Sequence, residues 1–130
     1  HAAPSLPSGP VRWRWPTKGK VVAGFAPSAG RKGIDIRGHY GQPVDAAAAG
    51  NVVYSGNGLI GYGNLVIIKH NDSYLSAYGH NKKLLVKEGD TVKRGEEIAE
   101  MGRAGTEGSI LHFEIRRDGK PVDPLRYLPK

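Results

Sequence analysis

The stretch Ser109-Ile110-Leu111-His112-Phe113-Glu114-Ile115 alternates with a period of two. Leu111, Phe113 and Ile115 fall on one side of an extended chain, and Ile110, His112 and Glu114 on the other. The first set is the inward face of a β-strand. The second puts an imidazole between an aliphatic side chain and a carboxylate. Same-face neighbours on a strand stand about 6.5 Å apart, from a rise of about 3.3 Å per residue. A histidine at position 110 would therefore share a small site with His112, but the residue there is isoleucine.

The same reading extends along the chain. Residues 31–36 alternate, with Ile34 and Ile36 on one face and Gly33 and Asp35 on the other. Leu65-Val66-Ile67-Ile68 is a near-continuous apolar run, which predicts a central strand covered on both faces. Residues 19–25, 43–46, 50–56, 73–80, 84–86, 91–92 and 97–101 read as further short strands. Asn71-Asp72 and Asp118-Gly119 are expected to form hairpin turns, since these residue types tolerate positive φ. The alanines at 46–49 are too few for a helix, and Asp123-Pro124 can start a single helical turn. With 19 glycines spread among the strands, the pattern predicts an all-β, mostly antiparallel fold.

Residues 1–12 hold three prolines, two serines and a glycine, which predicts a flexible linker or tail. Trp13 and Trp15, two apart on an extended segment, face one side and anchor the edge of a domain over residues 13–130. The chain starts at His1 rather than methionine and is expected to be a piece of a longer protein. It has no cysteine, so neither a disulfide nor a thiolate metal site can form. No apolar run approaches the roughly 18–20 residues of a membrane helix. The net charge of +7 suits either a solvated basic surface or an anionic partner. The basic residues are scattered, as in Lys82-Lys83 and Arg116-Arg117, and lack the aromatic–basic motifs of nucleic-acid modules. Gly61-Tyr62-Gly63 lacks the strand–helix context of a dinucleotide site.

Several segments together resemble the LytM (lysostaphin-type) zinc endopeptidase family. They include Lys32-Gly33-Ile34-Asp35-Ile36, Gly61-Tyr62-Gly63-Asn64, Tyr78-Gly79-His80, Lys87-Glu88-Gly89-Asp90, Leu111-His112-Phe113-Glu114 and Gly119-Lys120-Pro121-Val122-Asp123-Pro124. The resemblance runs from about residue 15 to 128 and implies a single domain with an open groove. Active members cut peptidoglycan cross-links and carry H-x-x-x-D, a histidine in Tyr-x-His, and H-x-H. The first histidine, the aspartate and the last histidine hold zinc. The other two histidines serve the water and the transition-state charge. Carried onto this sequence, the first ligand becomes Arg31 and the first histidine of H-x-H becomes Ile110, whereas Asp35, His80 and His112 remain. Two remaining ligands make a poor zinc site, and arginine cannot deprotonate to ligate. The resemblance thus implies no zinc, no other cofactor and no hydrolysis.

It also implies a role. Degenerate members of this family activate murein amidases of Gram-negative envelopes. The expected partner is a zinc-dependent N-acetylmuramoyl-L-alanine amidase of the AmiC type, acting in daughter-cell separation. The expected place is the periplasm, tethered to the outer membrane by a lipid upstream of this chain. The vestigial groove comprises Arg31, Asp35, His80, Ile110 and His112, and the candidate contacts are Arg31, Lys32, Tyr62, Tyr78 and Ile110. Arg31 is expected to fill the metal position and pair with Asp35, or to meet an acidic group of the partner. His80 and His112 are expected to be held by hydrogen bonds; His39 and His70 are structural or exposed. Gly33, Gly61 and Gly63 serve tight backbone geometry. Two other classes stay open: a peptidoglycan-binding module using the groove, and a residual zinc endopeptidase using Asp35, His80 and His112.

Overall fold

A computed structural model describes residues 10–130. Its strands are β1 (Lys20–Ala23), β2 (Ile34–Arg37), β3 (Pro43–Asp45), β4 (Gly50–Gly56) and β5 (Asn64–Lys69), then β6 (Tyr74–Leu84), β7 (Thr91–Val92), β8 (Glu97–Met101), β9 (Ile110–Arg117) and β10 (Lys120–Val122). They join in the order β1-β2-β9-β6-β5-β4-β7, with β10 beside β9 and β8 linking β3 to β6. Every pairing is antiparallel. Of the tail assigned to residues 1–12, positions 1–9 lie outside the described residues.

The inward faces follow the alternation. Leu111, Phe113 and Ile115 of β9 are fully buried with Ile34 and Ile36 of β2 and Val66 and Ile68 of β5. The central strand expected at 65–68 is β5, between β4 and β6. Trp13 and Trp15 pack against this core. Trp13 sets its ring edge-on to His70 at 5.0 Å, and the Trp15 indole N–H donates to the Pro129 carbonyl at 2.8 Å.

Two expectations need correction. The strand read as residues 73–80 continues to Leu84, so residues 84–86 are not a strand of their own. The reason is a change of partner. Residues Tyr74 to Gly79 pair with β9, and Asn81 to Leu84 pair with β8. His80, at φ 66°, stands at the crossover. The Asn71-Asp72 turn does not use positive φ, because the Asn71 carboxamide accepts from the amides of Ser73 and Tyr74, both at 2.8 Å. That side-chain bond closes the turn with ordinary backbone angles. Asp118 (φ 51°) and Gly119 (φ 81°) do form the expected turn. The helical turn after Asp123 is a 3₁₀ turn, Pro124–Arg126, with the Asp123 carboxylate accepting from the Leu125 amide at 3.0 Å.

A buried polar chain ties β5 and β6 to the alanine segment. His70 Nδ1 donates to the Ala49 carbonyl at 2.7 Å, so Nε2 must accept from Ser76 Oγ, also at 2.7 Å. Ser76 then accepts from the Tyr78 hydroxyl at 2.7 Å, which accepts from the Ala47 amide at 2.9 Å. Every member is satisfied only if His70 is neutral. Burial pushes its pKa down to about 4, against the Ala49 carbonyl, which favours the charged ring. A histidine whose folded pKa is depressed contributes stability present above about pH 6.5 and lost as pH falls through 4. Between pH 7 and pH 4 the native chain should lose about 3 kcal/mol more stability to urea than a chain without this histidine. His70→Gln should start lower and lack this part of the slope.

Candidate functional site

The outward face of β9 carries the chemistry. Register sets Asp35 of β2 directly across from His112, with Gly79 of β6 on its other side. Because cross-strand partners share a face, the carboxylate and imidazole meet without any loop to place them. A Cβ at Gly33 would stand 2.2 Å from the Phe113 carbonyl, so only glycine lets the start of β2 come this close to β9. Gly61 (φ 91°) and Gly63 (φ 63°) bring Tyr62 over the face. Asp35, Tyr62, His112 and Glu114 line a cleft of about 310 Å³ with Arg31, Lys32, His80 and Ile60.

His112 is held at both ring nitrogens. Nδ1 donates to Asp35 Oδ1 and Nε2 to Glu114 Oε2, each at 2.7 Å. Glu114 is 0% exposed. Its other oxygen accepts a fork from Arg116, Nε at 2.9 Å and Nη2 at 2.7 Å. The Tyr62 hydroxyl donates to Glu114 Oε2 at 2.8 Å and accepts from Arg116 Nη2 at 3.1 Å. Two acids and two bases thus neutralise one another. Burial opposes charge on His112, but Asp35 and Glu114 outweigh it and hold the ring's pKa at about 9. Burial also opposes charge on Glu114; the bonds from His112, Arg116 and Tyr62 prevail and lower its pKa. Burial, then Glu114, pushes the Tyr62 hydroxyl up. Burial, then the neighbouring His112 charge, pushes His80 down.

This donor set does not fit the zinc that the fold's active members carry. A catalytic zinc needs about three protein ligands and an open position. Both ring nitrogens of His112 are engaged, one by Asp35 itself and the other by Glu114. At position 31 a guanidinium donates through Nε to the Gly24 carbonyl at 3.1 Å. Among the described residues, no group of three or more His, Cys, Asp or Glu is arranged to hold a metal ion. At pH 7 the ring protons on both nitrogens of His112 should be visible by NMR, and His70 should show one neutral tautomer. Equimolar zinc should leave the His112 signals where they are; their loss would contradict this assignment.

Three sequence expectations are corrected here. Arg31 does not pair with Asp35, because His112 is the carboxylate's cross-strand neighbour and takes it. Ile110 is 2% exposed and Tyr78 0%, so neither presents a surface to a partner. Ile110 is buried at the first position of β9, across from Arg37, and Tyr78 stands on the inward face with its ring against Phe113 at 5.3 Å. His112 is held by side-chain hydrogen bonds as expected, whereas His80 is held by its backbone, its amide donating to the Tyr62 carbonyl at 2.8 Å. Arg31, Lys32 and Tyr62 do line the cleft with Asp35, His80 and His112.

Sequence reasoning set Glu114 beside His112 but gave it no role, and it missed Arg116 and Ile60. Arg116 follows Glu114 by two residues, a same-face base that alternation alone could have flagged. Ile60 is 100% exposed at the cleft's rim, and Leu59 beside it 43%. A glycine-bounded loop carries no periodic signal that would reveal this.

The model for Peptidase family M23 matches residues 29–124. The chain is 62% identical over 119 residues to a "Lipoprotein NlpD/LppB homolog" of Pseudomonas aeruginosa, covering 91% of this chain and 40% of that protein. It is 61% identical over 119 residues to the "Murein hydrolase activator NlpD" of Escherichia coli K12, covering 91% of this chain and 31% of that protein. The chain therefore spans well under half the length of these relatives. Among solved structures, a putative peptidase M23 from Pseudomonas aeruginosa superposes with a TM-score of 0.83 at 28% identity, covering 98% of this chain and 54% of that one. Lysostaphin from Staphylococcus simulans superposes with a TM-score of 0.79 at 29% identity, covering 88% of this chain and 51% of that one.

Proposed function

Because the chain belongs to Peptidase family M23, we propose that it is a non-catalytic activator of a peptidoglycan hydrolase, descended from a zinc peptidase whose groove it keeps. The observation that carries this reading is the Asp35–His112–Glu114–Arg116 network. It satisfies the surviving ligands internally and leaves the cleft above them open. The relatives' names, murein hydrolase activator and lipoprotein, support the same direction and an envelope location.

In the finer reading, the partner is a periplasmic zinc N-acetylmuramoyl-L-alanine amidase of the AmiC type, acting in daughter-cell separation. The longer protein is held at the outer membrane by a lipid upstream of these residues. The cleft binds a segment that otherwise covers the amidase's own zinc, and activation follows from differential affinity alone. Moving such a segment from about 1% to about 99% displaced requires roughly 5.5 kcal/mol. Burying the whole Ile60 side chain contributes about 1.5–3 kcal/mol. The remainder falls to Tyr62 and to Arg31 and Lys32 at the cleft, which suit a segment that is both apolar and acidic.

Calorimetric titration of purified amidase with the chain tests this reading. Saturable binding that weakens on Ile60→Ser supports it. Binding only to purified sacculi, lost on the same substitution, would place the groove in a peptidoglycan-binding module and overturn the activator reading.

A further inference from the structure

A second cleft, of about 800 Å³, lies between the segment at Arg14 to Lys18 and the turn after β2, and shares no lining residue with the first. The function proposed above makes no use of it. Its floor is built. The Gln42 carboxamide donates to Thr17 Oγ1 at 2.7 Å and to the Lys18 carbonyl at 2.6 Å, and accepts from the His39 amide at 3.0 Å. Thr17, itself buried, donates to the Pro43 carbonyl at 2.9 Å. The Trp15 indole N–H is committed to Pro129, so what this residue offers the cleft is ring surface.

The lining charges are unbalanced. Arg14 is matched by Asp45 at 3.7 Å. Lys18 and Arg37, both exposed, have no carboxylate within salt-bridge distance among the described residues. An aromatic ring beside two free cations selects a ligand with an apolar C–H face and an anionic group. The volume lies in the range of about 300–1,000 Å³ typical of small-ligand clefts, where a flat protein interface or a bilayer would not reach the floor.

We infer that this cleft is a second binding site, for a carboxylate-bearing murein fragment, with a sugar ring against Trp15 and the carboxylate at Lys18 and Arg37. The inference rests on the murein reading above and extends it. One cleft of the domain holds the polymer while the other holds the enzyme, which raises the enzyme's effective concentration at its substrate.

The test is an NMR titration of the ¹⁵N-labelled chain with soluble disaccharide-peptides released from sacculi by a muramidase. The chain has two tryptophans, so the Trp15 indole signal is easily followed. Trp15, Lys18 and Gln42 should shift, and Tyr62 and His112 should not. Lys18→Glu with Arg37→Glu should keep the folded spectrum and weaken binding about tenfold or more for each cation–carboxylate pair removed. Inorganic phosphate should move Lys18 and Arg37 far more weakly than the fragment does and leave Trp15 unmoved, and phosphatidylglycerol vesicles should leave the whole cleft unmoved. An equal response to the vesicles would make the surface a membrane-binding face and overturn the murein assignment. Silence of the cleft at millimolar fragment, or shifts at Tyr62 and His112 alone, would also overturn it. Amidase activation measured in parallel separates the two readings. A chain that activates while its second cleft stays silent sinks this inference alone; one that neither activates nor binds sinks both.

Discussion

Glu114→Ala should destabilise the domain by about 3–5 kcal/mol, the cost of removing one partner from a buried ion pair. The Glu114 carboxylate receives four hydrogen bonds, from His112, twice from Arg116 and from Tyr62. Without it an imidazolium and a guanidinium are left near each other with little water to screen them. The pKa of His112 should then fall below about 9, because only Asp35 remains to favour its charge. The pair itself is not the source of the stability. Replacing Glu114, His112 and Arg116 together by apolar residues of similar size should recover much of the loss, since the desolvation cost disappears with the charges. Urea unfolding at pH 7 measures all of this, provided the m-value is unchanged. A loss under about 1 kcal/mol for Glu114→Ala would show that water reaches the network and screens it.

Arg31→Glu should leave stability unchanged within about 0.5 kcal/mol, because the residue is exposed and its one side-chain bond is to the Gly24 carbonyl. Activation of the amidase should drop at least tenfold. Reversing a rim charge against an acidic segment changes attraction into like-charge repulsion, which costs several kcal/mol at an interface. Lys32→Glu should act in the same direction. The effect should shrink in high salt, since the rim is open to solvent. Full activation by Arg31→Glu would remove cleft charge from the mechanism and leave Ile60 and Tyr62 to carry recognition.

Much of this fold is legible in the alternation of single segments. Leu111-Phe113-Ile115 and Ile34-Ile36 specify inward faces, and once β2 and β9 pair, Asp35 and His112 have no choice but to meet. The motif spacing locates the cleft for the same reason. What was not legible depends on which strand takes which partner. Tyr78 reads as a groove residue from its place in Tyr-x-His, but the change of partner at His80 puts positions 78 and 80 in different surroundings, one in the core and one in the cleft. Ile110 shares a face with His112 by period, yet the outward face is covered at that end of β9. Ile60 could not be found at all, because the exposure of a loop tip is set by glycine geometry rather than by pattern.

In the proposed mechanism this domain causes hydrolysis without performing it. The most direct measurement is dye release from labelled peptidoglycan, with zinc supplied, by the domain alone, an AmiC-type amidase alone, and the two together. Release from the mixture should lie well above the sum of the separate tubes, and the domain by itself should release none. Release by the domain alone, abolished by a chelator, would mean that Asp35, His80 and His112 still hold a working metal and would contradict the proposed mechanism.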